Sequence, residues 1–190
     1  MQEIIQEAVK SYQSKLMETL SALHDFDPAP VTALEFNTGK IAKQQATELA
    51  ENIPTGYQKE DRGSKYLYIF QFPADNKITV EQVQDTFTQG REKQQNGKVR
   101  NLCQLNHEHH DTTVLYVGLT NIPRQRFKQH LLKSTTDTYA MHFEHWARPL
   151  NMEVKFLCYR LSGMEVPAMQ MLEEALWDYL QPILGRRGSR

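Results

Sequence analysis

Arg126 and His130 stand one turn apart in the stretch "NIPRQRFKQH", so on a helix they share a face, while Phe127 and Leu131 share the neighbouring one that would bind that helix to a sheet. An arginine held in this way presents a fixed fork of donors to a phosphate. Arg124 and Lys128 add positive charge to the same helix. Tyr68 in "KYLYIFQF" and Tyr116 in "VLYVGLT" lie in segments of strand composition. A phenol there can hydrogen-bond water or phosphate and, with a lowered pKa, could take the proton of an attacking water. Glu173 falls at the edge of the helical stripe Met169, Leu176 and Leu180, whereas Glu174 falls among Gln170, Asp178 and Gln181 on the polar side. A carboxylate emerging beside a sheet needs a partner, and a divalent cation is a good one. Taken singly, each residue has a plainer reading: a strand aromatic, a solvated basic face, a surface glutamate.

Two other constellations carry less. "CQLNHEHH", Cys103 to His110, offers Cys-x-x-x-His spacing, but no second thiolate pair stands nearby to complete a tetrahedral zinc site, and a polar loop near a substrate is the better reading. His142, His145 and Trp146 could stack on nucleic acid. A helix packing Tyr139, Phe143 and Trp146 onto a sheet explains the same residues more simply.

These side chains need elements to carry them. The opening segment spaces Ile4, Ile5, Ala8, Val9, Tyr12, Leu16, Leu20 and Leu23 by threes and fours, which predicts a long amphipathic helix with one buried stripe. "DFDPAP" interrupts it, and a second helical stretch is expected from Gly39 to Glu51. Residues 1–60 thus read as an N-terminal helical arm. "KYLYIFQF", Lys65 to Phe72, is the first strand, bounded by turn residues. A helix capped by Thr79 follows, with Val80, Val83 and Phe87 as its stripe. "TVLYVGLT" is the second strand, and Gly118 would let the backbone approach closely there. Asn121 can cap the next helix, with Pro123 in its first turn. A helix over Thr136 to Ala147, a third strand over Asn151 to Leu161 and a closing helix from Glu165 to Leu180 complete the order.

Lysine plus arginine total 22 against 23 acidic residues, a formal charge of -1, so any nucleic-acid footprint must be local. The two cysteines, Cys103 and Cys158, suggest neither a disulfide scaffold nor a zinc ribbon, and a reducing compartment is expected. No apolar run reaches membrane-spanning length and no secretory signal opens the chain, so a soluble, cytoplasmic protein is expected.

"YLY" at Tyr66 to Tyr68 and "YVG" at Tyr116 to Gly118, followed by a helical arginine eight positions after that glycine and a histidine four further on, resemble the signature of the GIY-YIG nuclease superfamily. "EEALWDYLQPILG" is similar to the family's C-terminal element, with Glu173 as its glutamate, Leu176 and Trp177 three and four on, and Pro182 nine on. The resemblance runs from about Tyr66 to Gly185. Two departures stand out. The interval from Ala74 to Thr113 is an insertion between strands that the pattern joins by a short hairpin, and Gly185 occupies the place of an asparagine.

The resemblance implies an α+β fold, a small three-stranded mainly antiparallel sheet flanked by helices, as a nuclease domain over 61–190 with an insertion at about 74–113; it leaves the 1–60 helical arm unexplained. It implies hydrolysis of DNA phosphodiesters, with magnesium or another divalent cation on Glu173 and with Arg126 neutralising phosphoryl charge. His130 and Tyr116 would hydrogen-bond phosphate or water, and Tyr68 would orient or deprotonate the water. Arg124, Lys128, Arg186 and Arg187 are the expected DNA contacts, with Ser189 as a further polar candidate. A domain that binds nucleic acid without cutting it is the alternative, motivated by Gly185. A protein-interaction domain is a third, and the first helix could pair with a second copy in a homodimer.

Overall fold

The computed structural model of the chain describes residues 2–24, 29–75, 77–94, 101–109, 112–132 and 139–188. It is an α+β fold built on one four-stranded, fully antiparallel sheet. In chain order the elements are α1 (Gln2–His24), β1 (Thr32–Asn37), α2 (Lys43–Glu51), β2 (Lys65–Gln71), α3 (Val80–Gln94), β3 (Val114–Thr120), α4 (Pro123–Leu131), α5 (Phe143–Trp146), β4 (Glu153–Leu161) and α6 (Val166–Leu180). The spatial order of the strands is β1-β4-β2-β3.

The expected three strands are corrected to four. β1 lies within the 1–60 stretch read as a helical arm, and it pairs with β4 from Thr32 opposite Cys158 to Asn37 opposite Glu153. Its inward residues alternate, with Thr32 and Phe36 buried and Ala33 and Glu35 exposed, the two-residue period of a half-buried strand. α2 begins at Lys43 rather than Gly39, because Thr38–Lys40 form a 3₁₀ turn instead. α1 forms, but most of its described stripe is not buried: Ile4, Ile5, Val9, Tyr12 and Leu20 are exposed, Leu16 is half-buried, and the side chains of Ala8 and Leu23 fall outside the description.

The long interval between the tyrosine segments does not prevent their pairing. β2 and β3 run antiparallel from Tyr66 opposite Thr120 to Phe70 opposite Tyr116. α3 fills part of the interval, and Thr79 caps it in a reciprocal box with Gln82: Thr79 Oγ1 accepts from the Gln82 N–H at 3.3 Å and Gln82 Oε1 from the Thr79 N–H at 2.9 Å. Among the described residues of the helix expected over Thr136 to Ala147, only the single turn α5 forms, since His142 takes a left-handed conformation with φ 51° that breaks the helix there. Thr136 lies outside the described residues.

Alternation along β2 divides the sheet into two packed faces. Tyr66, Tyr68 and Phe70 join Phe36, Phe127, Phe143 and Phe156 in an aromatic core beneath α4 and α5. Leu67 and Ile69 point the other way, onto Val117, Ala168 and Met169 beneath α6. β3 is an edge strand, and the C-terminal tail covers only its start: Ile183 and Leu184 donate to the carbonyls of Val114 and Leu115 at 2.9 Å. The rest of that edge, Tyr116 to Thr120, borders open space into which both faces of the sheet deliver side chains. No helix among the described residues is long and apolar enough to cross a membrane.

Candidate active site

A cleft of about 560 Å³ opens along the free part of β3, and Tyr68, Tyr116, Gly118, Arg126 and Glu173 all line it. Four elements from two sides of the sheet therefore meet there: β2, β3 and α4 from the aromatic side, α6 from the other.

Tyr68 and Tyr116 sit on adjacent strands, their rings stacked at 6.0 Å with planes 10° apart. Gly118 is the direct partner of Tyr68 in the ladder. A Cβ there would lie 2.5 Å from the Tyr68 hydroxyl oxygen and 2.9 Å from Cε1 of Tyr116, so the strand admits no side chain at this position. The glycine serves close approach.

Arg126 reaches the two phenols from α4. Its Nε donates to the Tyr68 hydroxyl at 3.1 Å, Nη1 to Gln129 Oε1 at 3.1 Å, and Nη2 to the Tyr139 carbonyl at 2.6 Å and, at 3.5 Å, to the Tyr116 hydroxyl. Every one of these acceptors is neutral. A half-buried guanidinium lining the cleft, with no carboxylate partner among the described residues, leaves an uncompensated positive field there, and an anion is the ligand that relieves it.

His130 takes a place the sequence did not suggest. Expected to touch the phosphate, it is fully buried behind Tyr68. The Met141 N–H donates to its Nδ1 at 3.2 Å, which assigns the ring proton to Nε2, and Nε2 lies 3.1 Å from the Tyr68 hydroxyl. Burial, reinforced by the Arg126 charge, pushes its pKa well below the ordinary range, so the ring is neutral at physiological pH and its tautomer is fixed. The Tyr68 oxygen thus accepts two hydrogen bonds, from Arg126 and from His130, and its own proton is directed elsewhere. Burial raises the Tyr68 pKa, and the neighbouring Arg126 charge only partly opposes it. Tyr68 is a phenol at neutral pH, a pinned donor more than a base. Burial raises the Tyr116 pKa as well.

Glu173 completes the cleft from α6. It is only 9% exposed, and its Oε2 is buried with no hydrogen-bond partner. Burial raises its pKa, opposed by the Leu119 backbone N–H and the Lys65 charge. A half-satisfied buried carboxylate beside a cleft fits a divalent cation of the kind that keeps most of its waters and takes one protein carboxylate plus substrate oxygens. No group of three or more acidic, histidine or cysteine side chains among the described residues could hold a metal by itself.

The basic residues divide. Arg186 is exposed and lines the cleft. Arg124, expected at DNA, instead donates to the carbonyls of Ile53 at 2.8 Å and Glu51 at 3.0 Å, closing the end of α2. Arg187 is likewise engaged, in a bidentate pair with Asp178 at 2.7 and 2.8 Å. Lys128 is half-buried and outside the cleft lining. Ser189 and His110 lie outside the described residues. Gly185 turns with φ +106°, and a Cβ there would meet the Tyr116 ring at 3.0 Å and Trp177 at 3.1 Å, so an asparagine would not fit this backbone unchanged. Cys103 is buried against the cleft wall with its thiol pushed up to about 12 by burial.

Sequence reasoning missed Gln104, Gln129 and the Tyr139 carbonyl, all at the cleft. Gln129 stands three residues after Arg126, a spacing that could have marked it as that arginine's support. Tyr139 was expected in the core, yet its ring is exposed. Also missed was a buried cluster beside the site: Asp61 accepts from the Tyr66 hydroxyl, and Arg160 donates to both, at 2.5 Å to Asp61 and 3.0 Å to Tyr66.

Comparison with protein-family models, with curated proteins and with solved structures finds no match to this chain.

Proposed function

We propose that the chain is a divalent-metal-dependent endonuclease of GIY-YIG type that hydrolyses DNA phosphodiester bonds. The observation that carries this reading is the convergence, in one cleft, of an uncompensated guanidinium, two phenols pinned at its rim and a carboxylate with an orphaned buried oxygen. One phosphate group would satisfy the guanidinium and the phenols, and a divalent cation between that phosphate and Glu173 would satisfy the carboxylate.

In this mechanism Arg126 binds the scissile phosphate and its charge opposes the negative charge that builds on the phosphoryl oxygens. Its hydrogen bonds to Tyr68, Gln129 and Tyr139 fix the fork before substrate arrives, so little reorganisation is needed. Tyr68, its oxygen already accepting from Arg126 and His130, has a proton to offer and orients the phosphate or the attacking water. Tyr116 lies beside it for the same purpose, and the two could exchange roles. His130 is a positioning residue for Tyr68. Glu173 would hold the cation, which when bound supplies charge to stabilise the leaving oxygen.

Plasmid nicking with magnesium and with chelator tests the reading. Wild type should nick only with the metal, and Arg126→Ala should lose cleavage with an unchanged circular dichroism spectrum. Retained cutting by Arg126→Ala would overturn the assignment. Gly185 favours a second reading, a domain that binds DNA without cutting, because no side chain can fill the asparagine's place. That protein would shift DNA in a gel under all conditions and never nick it. A homodimer through α1 rests on the exposed Ile5, Val9, Tyr12 and Leu20. Sedimentation over a range of concentrations decides that point.

A further inference from the structure

Beyond the cleft lies a second cavity, also of about 560 Å³, that shares Gln104, Gly185 and Arg186 with it. We propose that this cavity seats the nucleoside next to the scissile phosphate, with Gln104 reading its base and Arg186 holding the following phosphate. The inference rests on the nuclease reading for what occupies the first cleft, and it assigns the direction in which the strand leaves.

The two cavities meet over the C-terminal tail. The tail is held there by the Gly185 N–H donating to the Gln104 carbonyl at 2.7 Å and by the Asn106 Nδ2 donating to the Pro182 carbonyl at 2.9 Å. The first of these bonds uses the Gln104 carbonyl and leaves its side chain free. Gln104 is exposed at the junction, and its amide has no hydrogen-bond partner among the described residues. Arg186 is in the same condition, whereas Arg126, the other cation of the cleft lining, is held in place by Tyr68, Gln129 and the Tyr139 carbonyl, all neutral. Two uncommitted polar side chains at a shared rim are what a ligand spanning both cavities requires.

The chemistry of the second cavity differs from that of the first. Its remaining arginine, Arg187, is neutralised by Asp178 and lies 3.6 Å from Glu174. Little net positive field remains for a phosphate inside it. The carboxamides of Gln104 and Gln181, each a donor and an acceptor, suit the edge of a base, and the wall formed by Trp177 suits its ring. Arg126 in the first cleft, the carboxamides of the second cavity and Arg186 at the rim shared by both are therefore matched to a phosphate, the adjoining base and the following phosphate of one strand. The volume lies within the roughly 300–1,000 Å³ of ordinary ligand pockets.

Fluorescence anisotropy of a labelled short duplex in chelator, where nothing is cut, tests Arg186, and cleavage mapping on a randomised duplex library tests Gln104. Arg186→Ala should raise Kd about tenfold at low salt and lower the slope of log affinity against log salt by about 1. Gln104→Ala should flatten base preference at one position beside the cut, and Gln104→Glu should change which base is preferred there. If wild type nicks while these variants keep its Kd, salt slope and cleavage pattern, the subsite is overturned and the nuclease reading survives. If wild type binds and Arg186→Ala weakens it, yet no nicking occurs with magnesium, the hydrolytic reading fails and the phosphate contact of Arg186 stands. A wild type that neither binds nor nicks overturns both.

Discussion

Replacing Glu173 by glutamine removes a charge that the fold buries while satisfying only half of it, so the variant should be more stable than the natural protein while losing its cation. The Oε2 atom has no partner, and an unmet buried acceptor costs about 1–3 kcal/mol, with the upper part of that range set by charge. Glutamine keeps the shape and leaves only a neutral amide to desolvate, which gives a gain of about 1–2 kcal/mol. For a chain of this size that is a rise in Tm of about 2–8 °C. The gain depends on pH in a defined direction. Because burial raises the carboxyl above its ordinary 4.5, the folded chain holds that proton more tightly than the unfolded one. Below about pH 4.5 both states are protonated and the penalty vanishes; it grows as pH rises through the folded-state pKa and is complete above it. Thermal melts of wild type and Glu173→Gln should therefore coincide at low pH and separate at pH 8. Magnesium should narrow the gap, since only the wild type gains from it. A variant less stable at pH 8, or a gap that ignores both pH and metal, would refute this reasoning.

Gly118→Ala forces a methyl group to within 2.5 Å of the Tyr68 hydroxyl; nicking should fall at least about 100-fold, for about 1–3 kcal/mol of stability in chemical denaturation. His130→Gln, whose amide can donate to Tyr68 from near the lost Nε2, should keep a large share of the activity that His130→Ala loses, as seen in kcat with little change in KM. Asp61→Asn breaks the cluster with Tyr66 and Arg160 and should cost about 2–3 kcal/mol in urea unfolding at pH 7. The Tyr66 hydrogen bond, chiefly, holds the Asp61 carboxyl below its ordinary 3.8, so this contribution is present above that pH and is lost as pH falls through the folded-state value. Arg124→Ala should lose about 1 kcal/mol with the carbonyls it closes and leave the Kd for DNA unchanged.

Local chemistry made much of the site legible. Periodicity gives Tyr68, Tyr116, Arg126 and Glu173 each an element and a face, but it was the family resemblance that singled them out and implied that they converge. His130 was misplaced for a physical reason. Helical spacing gives the face a residue shares with Arg126, but whether that face meets solvent or the back of Tyr68 depends on how closely α4 lies on β2. Arg124 and Arg187 show the same limit for charge: their partners, the Ile53 carbonyl and the Asp178 carboxylate, come from chain segments brought near by folding or by a turn. β1 was readable in principle, since Thr32, Leu34 and Phe36 alternate inward, but six residues between prolines and a helix make a weak periodic signal. The stripe on α1 was correctly periodic and yet most of it is not buried, because amphipathicity specifies a face without specifying what covers it.

The most direct measurement is a crystal of the Arg126-intact protein with manganese and a duplex carrying one uncleavable phosphate linkage at the cut site, read by anomalous scattering. The account expects a metal peak on the Glu173 carboxylate, with that linkage between it and the Arg126 guanidinium and both tyrosine hydroxyls within hydrogen-bond reach. Metal bound elsewhere, or a linkage lying away from Arg126 with the cleft left to solvent, would contradict it.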